Sequence, residues 1–254
     1  MSEAALYGGS LNDRLAALRS LCAQLGERPR RGTNCHIHTN ESFSVFRSPA
    51  EAVWQAAREG LAVLGINDHY TVAGHDEFRR ACEIAGIDAA FSMEAVAMDR
   101  AAEAAGLLLN DPDNPGRVYL CAKGITRVPP DSSSAARNLA RMRGALDRRN
   151  CEMTAKVGQL FRQRIDSDGP GWNEVLALTP RGNATERHVA RASLIRLRAI
   201  AAERGVPLSE LIERCCAASP PPQASDAALE NFLRARLLKA GTPCYVAETE
   251  DAFV

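Results

Sequence analysis

Five residues at three places carry the chemistry of this chain: His36 and His38 in His36-Ile37-His38, the pair Asp68-His69, and Glu94. Imidazoles combined with carboxylates suit zinc, manganese or iron rather than a soft all-thiolate site. Successive side chains of a β-strand point to opposite faces, so His36 and His38 share a face and can grip one ion. By the same parity Cys35 and Ile37 face the other way, toward packing beneath a covering helix, and Cys35 is not expected as a ligand. A lone His-x-His pair is more often hydrogen-bonded core. Here each of the three clusters falls where a strand is expected to end, and a barrel of alternating strands and helices builds its site from ligands at successive strand ends. Asp68 has two readings, as a residue of the metal site beside His69 or as a neighbour that orients a liganding histidine.

The elements that must position these residues alternate in type. Residues 34–38 read as a strand, and Ser48-Pro49-Ala50-Glu51 is a capping-box pattern that opens a helix running to Gly60. Residues 61–66 form a short apolar run, as expected of a parallel strand buried on both faces, and deliver Asp68 and His69. A helix over 76–85 stops at Gly86, and a third strand over 89–96 carries Glu94. A helix over 99–109, a turn cluster over 110–116 and a fourth strand over 118–125 follow. The alternation predicts a parallel sheet with right-handed crossovers. Ahead of it, Ser10-Leu11-Asn12-Asp13 opens a helix with an apolar face of Leu11, Leu15, Leu18, Cys22 and Leu25, expected to cover one end of the barrel. Four helical stretches, 132–165, 184–205, 207–218 and 225–240, make a helical insertion. The organisation expected is an N-terminal helix and linker over 1–32, barrel strands over 33–131, the insertion over 132–240, and a return toward the barrel over 241–254.

Composition sets limits on function. The chain has 254 residues, 46% hydrophobic and 24% charged, which is ordinary for a globular domain. Thirty-one basic residues balance thirty-one acidic ones, giving no reason to expect nucleic acid or membrane as a partner. The eight cysteines show no CxxC spacing, and the first ten residues lack a basic segment followed by an apolar run, so reduced thiols in a cytoplasm are expected. Taken alone, His188 reads as a surface histidine, His75 as a helix-start residue, the arginines from Arg181 to Arg204 as a solvated helix face, and Arg28, Arg30 and Arg31 as part of a polar linker.

The segments NCHIHT, GINDHYTVAG and FSMEAVA, in that order between Asn34 and Ala97, resemble the PHP family (polymerase and histidinol phosphatase domain), with a weaker likeness to about Val246. The resemblance implies an α/β fold, a partial, distorted (β/α)7 TIM-like barrel with a helical insertion, and two or three divalent metal ions. It implies His36, His38 and His69 as metal ligands and Glu94 as the carboxylate that bridges ions. Glu186-Arg187-His188-Val189-Ala190-Arg191 is similar to the segment by which the family's insertion returns a histidine to the metals. That raises His188 to a ligand of metal or phosphate, and Arg187 and Arg191 to substrate-binding cations.

The chain also departs from the family pattern. Ser42-Phe43-Ser44 stands where many relatives have Asp-Gly, leaving Glu41 as the nearby carboxylate, and the usual fourth-strand histidine is replaced around Tyr119. The family's last ligands have no counterpart. The expected activity is phosphoester hydrolysis by metal-bound hydroxide on a small phosphorylated substrate or nucleotide, with Asp68 and His188 in catalytic roles. An amidohydrolase-like C–N hydrolase and a non-catalytic metal-binding module stay open. Four strands do not close a barrel, and the residues from Thr249 read as a helix beginning where the sequence stops. The expectation is a fragment of a longer protein, weakly active alone and prone to self-association.

Overall fold

In a computed structural model, which describes residues 2–26, 28–179 and 183–254, the chain divides into two compact units, residues 1–140 with 253–254, and residues 141–252. Arg181 and part of the 26–32 linker lie outside the described residues.

The first unit is built on four strands, β1 (Thr33–Ile37), β2 (Val63–Ile66), β3 (Asp88–Met98) and β4 (Arg117–Lys123), in the order β1-β2-β3-β4. Helices α1 (Leu11–Leu25), α2 (Pro49–Glu59) and α3 (His75–Ala85) pack against one another and cover one face. Ile37, Leu64, Ile66, Ala89 and Phe91 point into this helical layer and share a core with Leu18, Val53, Trp54 and Phe78. Alternation then sends Asn67 and Glu94 to the other face. Cys35 is half-buried but stands outside that core, unlike Ile37.

The helix starts obey local rules. Ser10 and Asp13 cap α1 reciprocally, at 3.3 and 2.8 Å. At α2 only half of the box expected from sequence forms: Ser48 Oγ accepts the Glu51 N–H at 2.9 Å, while the Glu51 carboxylate takes the N–H of Arg47 at 2.6 Å instead of that of Ser48.

β1, β2 and β3 are parallel, but β4 returns antiparallel to β3, contrary to the all-parallel expectation. The reason lies in residues 99–116. Asp99 caps a helix of only five residues, α4 (Arg100–Ala104), rather than the 99–109 helix expected, because Gly106 turns the chain at φ 67°. Gly116, at φ 72°, then brings its carbonyl to the Asp99 N–H at 2.8 Å and closes a long hairpin. A Cβ on Gly116 would lie 2.4 Å from the Asp99 carbonyl oxygen, so this turn requires glycine.

The sheet curls into half of a barrel. In a flat sheet β1 and β4 would be about 14 Å apart, three strand spacings. Here Lys123 Nζ donates to the Cys35 carbonyl at 2.7 Å, and Cys121 Sγ lies 4.0 Å from His36 Nδ1. A bulge in β1 contributes. Asn34 pairs with Leu64 and Ile37 with Ile66, so Cys35 and His36 together oppose Gly65. A Cβ on Gly65 would fall 2.7 Å from Cys35 Cα, so only glycine lets the bulged strand approach this closely.

The second unit is helical: the main part of α5 (Ser134–Ile165), α6 (Trp172–Leu176), α7 (Glu186–Arg204), α8 (Leu208–Cys216) and α9 (Asp226–Leu237). Its core includes Met153, Val157, Phe161, Leu197, Ile212 and Leu233. Cys215 lies buried in that core, as expected for helix packing. The helix expected from Thr249 is a single 3-10 turn, Glu250–Ala252. No helix among the described residues is long and apolar enough to cross a membrane.

The bulge yields a stability prediction. Gly65→Ala should destabilise the protein by about 1–3 kcal/mol, the usual range for forcing extra volume into a packed site, read as a lowered urea midpoint. An unchanged midpoint would show that the β1–β2 approach is not constrained by glycine.

Candidate metal centre

Glu94 sits in mid-β3 on the face away from α2 and α3, with only 6% of its surface exposed. Past the end of β2 the chain keeps pairing with β3. The Glu94 N–H donates to the Asp68 carbonyl at 3.0 Å and the Tyr70 N–H donates to the Glu94 carbonyl at 2.8 Å, forming a parallel bridge between His69 and Glu94. Tyr70 then turns the chain at φ 54°, in the left-handed region, and its hydroxyl accepts the Val96 N–H at 3.1 Å. Such a conformation costs free energy in a non-glycine residue and persists where surrounding contacts impose it.

Three of the histidines expected as ligands, His36, His38 and His69, come together around this carboxylate, while His188 is placed in the second unit. Glu94 Oε2 lies 2.9 Å from His36 Nε2 and 3.9 Å from His38 Nε2, while Oε1 lies 3.5 Å from His69 Nδ1. The His38 and His69 rings stack at 4.3 Å between centroids, and His36 meets His38 edge-on at 5.2 Å. The donor atoms form two triads that share Glu94: His38, His69 and Glu94, and His36, Glu94 and Cys121, each with its atoms within 4.8 Å of one another. Two imidazoles and a carboxylate converging at that range fit a zinc-, manganese- or iron-type ion.

Two residues at the centre have no counterpart among the ligands expected from sequence. Cys121, not Tyr119, stands opposite Glu94 in the β3–β4 ladder; Tyr119 pairs with Val96, and its backbone is held by the side chain of Asn110. Asn67 is fully buried, and its amide nitrogen lies 2.9 Å from Glu94 Oε2, 3.1 Å from His36 Nε2 and 3.3 Å from Cys121 Sγ. Strand alternation places Asn67 on the inner face. The antiparallel register that selects Cys121 has no local signal in the sequence.

Asp68 occupies a different position. Its Oδ1 accepts the Thr39 N–H and the Ser42 hydroxyl, and its Oδ2 accepts the Thr39 hydroxyl, each at 2.6 Å. Burial pushes its carboxyl above the usual range, opposed by these hydrogen bonds from Ser42 and Thr39. The carboxylate thereby fixes the loop that follows His38. Glu41, in the same loop, is buried and belongs to neither triad.

His188 lies in the second unit, in the first turn of α7, and is buried rather than a surface histidine. Its Nδ1 accepts the Thr185 N–H at 3.0 Å, which leaves the proton of the neutral ring on Nε2. Burial, and then the charge of Arg191, lower its pKa to about 4, so the ring is neutral at pH 7. Arg191 pairs with Glu230 through two nitrogens, at 2.9 and 3.3 Å, and Arg187 donates to Asn231 at 3.1 Å. His75 is buried too, with Nε2 3.1 Å from the Ser92 carbonyl, and burial lowers its pKa.

No protein-family model and no curated protein sequence matches the chain. Among solved structures it is similar to an amidohydrolase from Chromobacterium violaceum with bound sulfate and no metal, at a TM-score of 0.56 and 18% identity, over 87% of this chain and 62% of that one. It also matches a protein designated a metal-dependent phosphoesterase from Bifidobacterium adolescentis, at a TM-score of 0.49 and 24% identity, over 83% of this chain and 76% of that one. At 18% identity the first likeness establishes the fold alone, and this chain spans less than two thirds of that protein.

The Asp68 geometry has a measurable consequence. Asp68→Asn, which removes an acceptor oxygen from three donors, should cost about 1.5–3 kcal/mol of stability while leaving metal content near that of the unsubstituted protein. Loss of a full metal equivalent by elemental analysis would instead place Asp68 among the ligands.

Proposed function

We propose that this chain is a metal-dependent hydrolase of the PHP type that cleaves phosphoester bonds in a small phosphorylated substrate or nucleotide. The observation that carries the reading is the pair of triads sharing Glu94, because a carboxylate set between two groups of nitrogen and sulfur donors suits two neighbouring divalent ions. Bound there, such ions supply acidity to a water molecule and neutralise charge on the oxygens of a transferring phosphoryl group. His36, His38, His69 and Glu94 are the residues that would hold them.

The remaining roles belong to the protein. Asp68 is read as a positioning residue that ties down the loop after His38, the second of the two roles open to it from sequence, acting on the loop rather than on a histidine. His188 is read as a phosphate donor rather than a metal ligand. Binding metal through Nε2 requires the ring proton on Nδ1, which would break the hydrogen bond from Thr185. Its depressed pKa keeps Nε2–H a neutral donor across the physiological range. Arg187 and Arg191 would supply positive charge to substrate only by sharing or leaving their partners on α9.

Hydrolysis of a C–N bond is the second reading, favoured by the amidohydrolase neighbour; that protein also holds sulfate, a tetrahedral oxyanion with the shape of phosphate.

A metal-reconstituted preparation assayed on a panel of phosphomonoesters, nucleotides and cyclic amides separates these readings: phosphate release is expected, and ammonia release without phosphate would reverse the assignment. The double variant His36→Ala, His38→Ala should lose most bound metal, and unchanged metal content would remove the site. His188→Ala should retain metal and lower turnover by about 10²-fold or more, the usual scale for a lost polar contact to the reacting group. Turnover equal to that of the unsubstituted protein would exclude the role.

A further inference from the structure

The triad of His36, Glu94 and Cys121 contains a ligand that the sequence resemblance does not supply. Cys121 is placed by the ladder: it pairs with Glu94, so the two side chains leave the sheet on the same face. Its Sγ lies 3.9 Å from Glu94 Oε2 and 4.0 Å from His36 Nδ1. Around a tetrahedral zinc ion, bonds of about 2.3 Å to sulfur and about 2.05 Å to nitrogen put those two atoms about 3.6 Å apart. The observed separations exceed that by only a few tenths of an ångström, and because the sulfur distance is to Nδ1 while Nε2 faces Glu94 and Asn67, a turn of the His36 ring brings a single nitrogen to the shared point.

A second observation points to the same place. The amide nitrogen of fully buried Asn67 is within 3.3 Å of an imidazole nitrogen, a carboxylate oxygen and the thiol. Three electron-rich atoms thus converge on one small positive centre, which is the arrangement a cation requires. The Oδ1 of the same amide is buried and makes no hydrogen bond among the described residues. Rotating the amide by half a turn would present that oxygen to the convergence point, since the N and O positions of an amide are interchangeable in shape.

We propose that Cys121 is a thiolate ligand of a second ion site formed with His36 and Glu94, with Asn67 Oδ1 completing it, and that this thiolate makes the site selective for zinc over manganese or magnesium. The inference rests on the metal-hydrolase reading above and specifies the ion. As the sulfur–metal bond forms, the thiol proton passes to solvent, one proton per ion bound. Thiolate ligands favour zinc, whereas manganese and magnesium favour oxygen donors. Cys121 is therefore the specificity-determining residue of the pair of sites, and the triad of His38, His69 and Glu94 remains the harder, sulfur-free one.

Cobalt(II) titration of the metal-free protein tests this, because a cobalt–thiolate bond gives a near-ultraviolet charge-transfer band that nitrogen and oxygen ligands do not. The band is expected in the unsubstituted protein and in His69→Ala, and is expected to vanish in Cys121→Ser with the loss of one cobalt equivalent. Cys121→His should keep both equivalents but lower the zinc-over-manganese preference by about ten-fold or more, on the scale of other single changes around metal sites. Cobalt bound without the band, or a band that survives Cys121→Ser, would overturn the thiolate ligand and leave the metal-hydrolase reading intact. A protein that binds no cobalt would refute that reading, and this inference with it.

Discussion

The Glu94 carboxylate is the group around which the first unit is organised. Burying a carboxylate carries an effective cost of several kcal/mol unless it is paired and hydrogen-bonded. Here it is met by three imidazoles, one amide and one thiol, contributed by β1 and the residue just after it, by the chain just beyond β2, and by β4. Each of these elements must arrive in register for the partners to converge. The carboxylate that gathers these partners therefore penalises any slip of the sheet.

That requirement explains two local irregularities. The extra residue in β1 opposite Gly65 re-aims His36 relative to the regular pleat while Ile37 stays in the helix-side core. The left-handed turn at Tyr70 ends the pairing of the β2 segment immediately after His69, so that His69 is set beside Glu94 and the chain leaves for α3. Both irregularities adjoin candidate ligand residues, as expected where a regular scaffold is bent for a site.

Much of this centre is legible in the amino-acid sequence. Strand parity unites His36 with His38, and turn residues mark where Asp68 and His69 emerge, because those signals are local; Glu94, expected near a strand end, lies instead in mid-β3, because β3 runs on to Met98 in its hairpin with β4. Asn67 is legible in principle, one residue before Asp68 and of opposite parity to the core residue Ile66. The partner of Glu94 on β4 is not, since it depends on a hairpin closed by Gly116 against Asp99, a long excursion of turns and one short helix whose outcome composition does not specify. His188 shows a different gap. A histidine at the third position of a helix reads as surface, and its capping bond to Thr185 and its burial by the helical core emerge only on folding.

The tautomer of His188 and the thiol of Cys121 lead to the same physical distinction. A neutral histidine has one nitrogen that accepts and one that donates, and a hydrogen bond at the first decides the use of the second. Thr185 commits Nδ1 as an acceptor, which leaves the ring proton on Nε2. A thiol has no such constraint: its proton is readily displaced by a metal, and the polarisable sulfur that results discriminates among ions by softness rather than by geometry. Placed across a shared carboxylate from two stacked imidazoles, Cys121 makes the two halves of the centre chemically unequal. If both proposed ion sites fill, the sulfur-containing one would hold zinc more tightly than the sulfur-free one, because the two donor sets differ in softness.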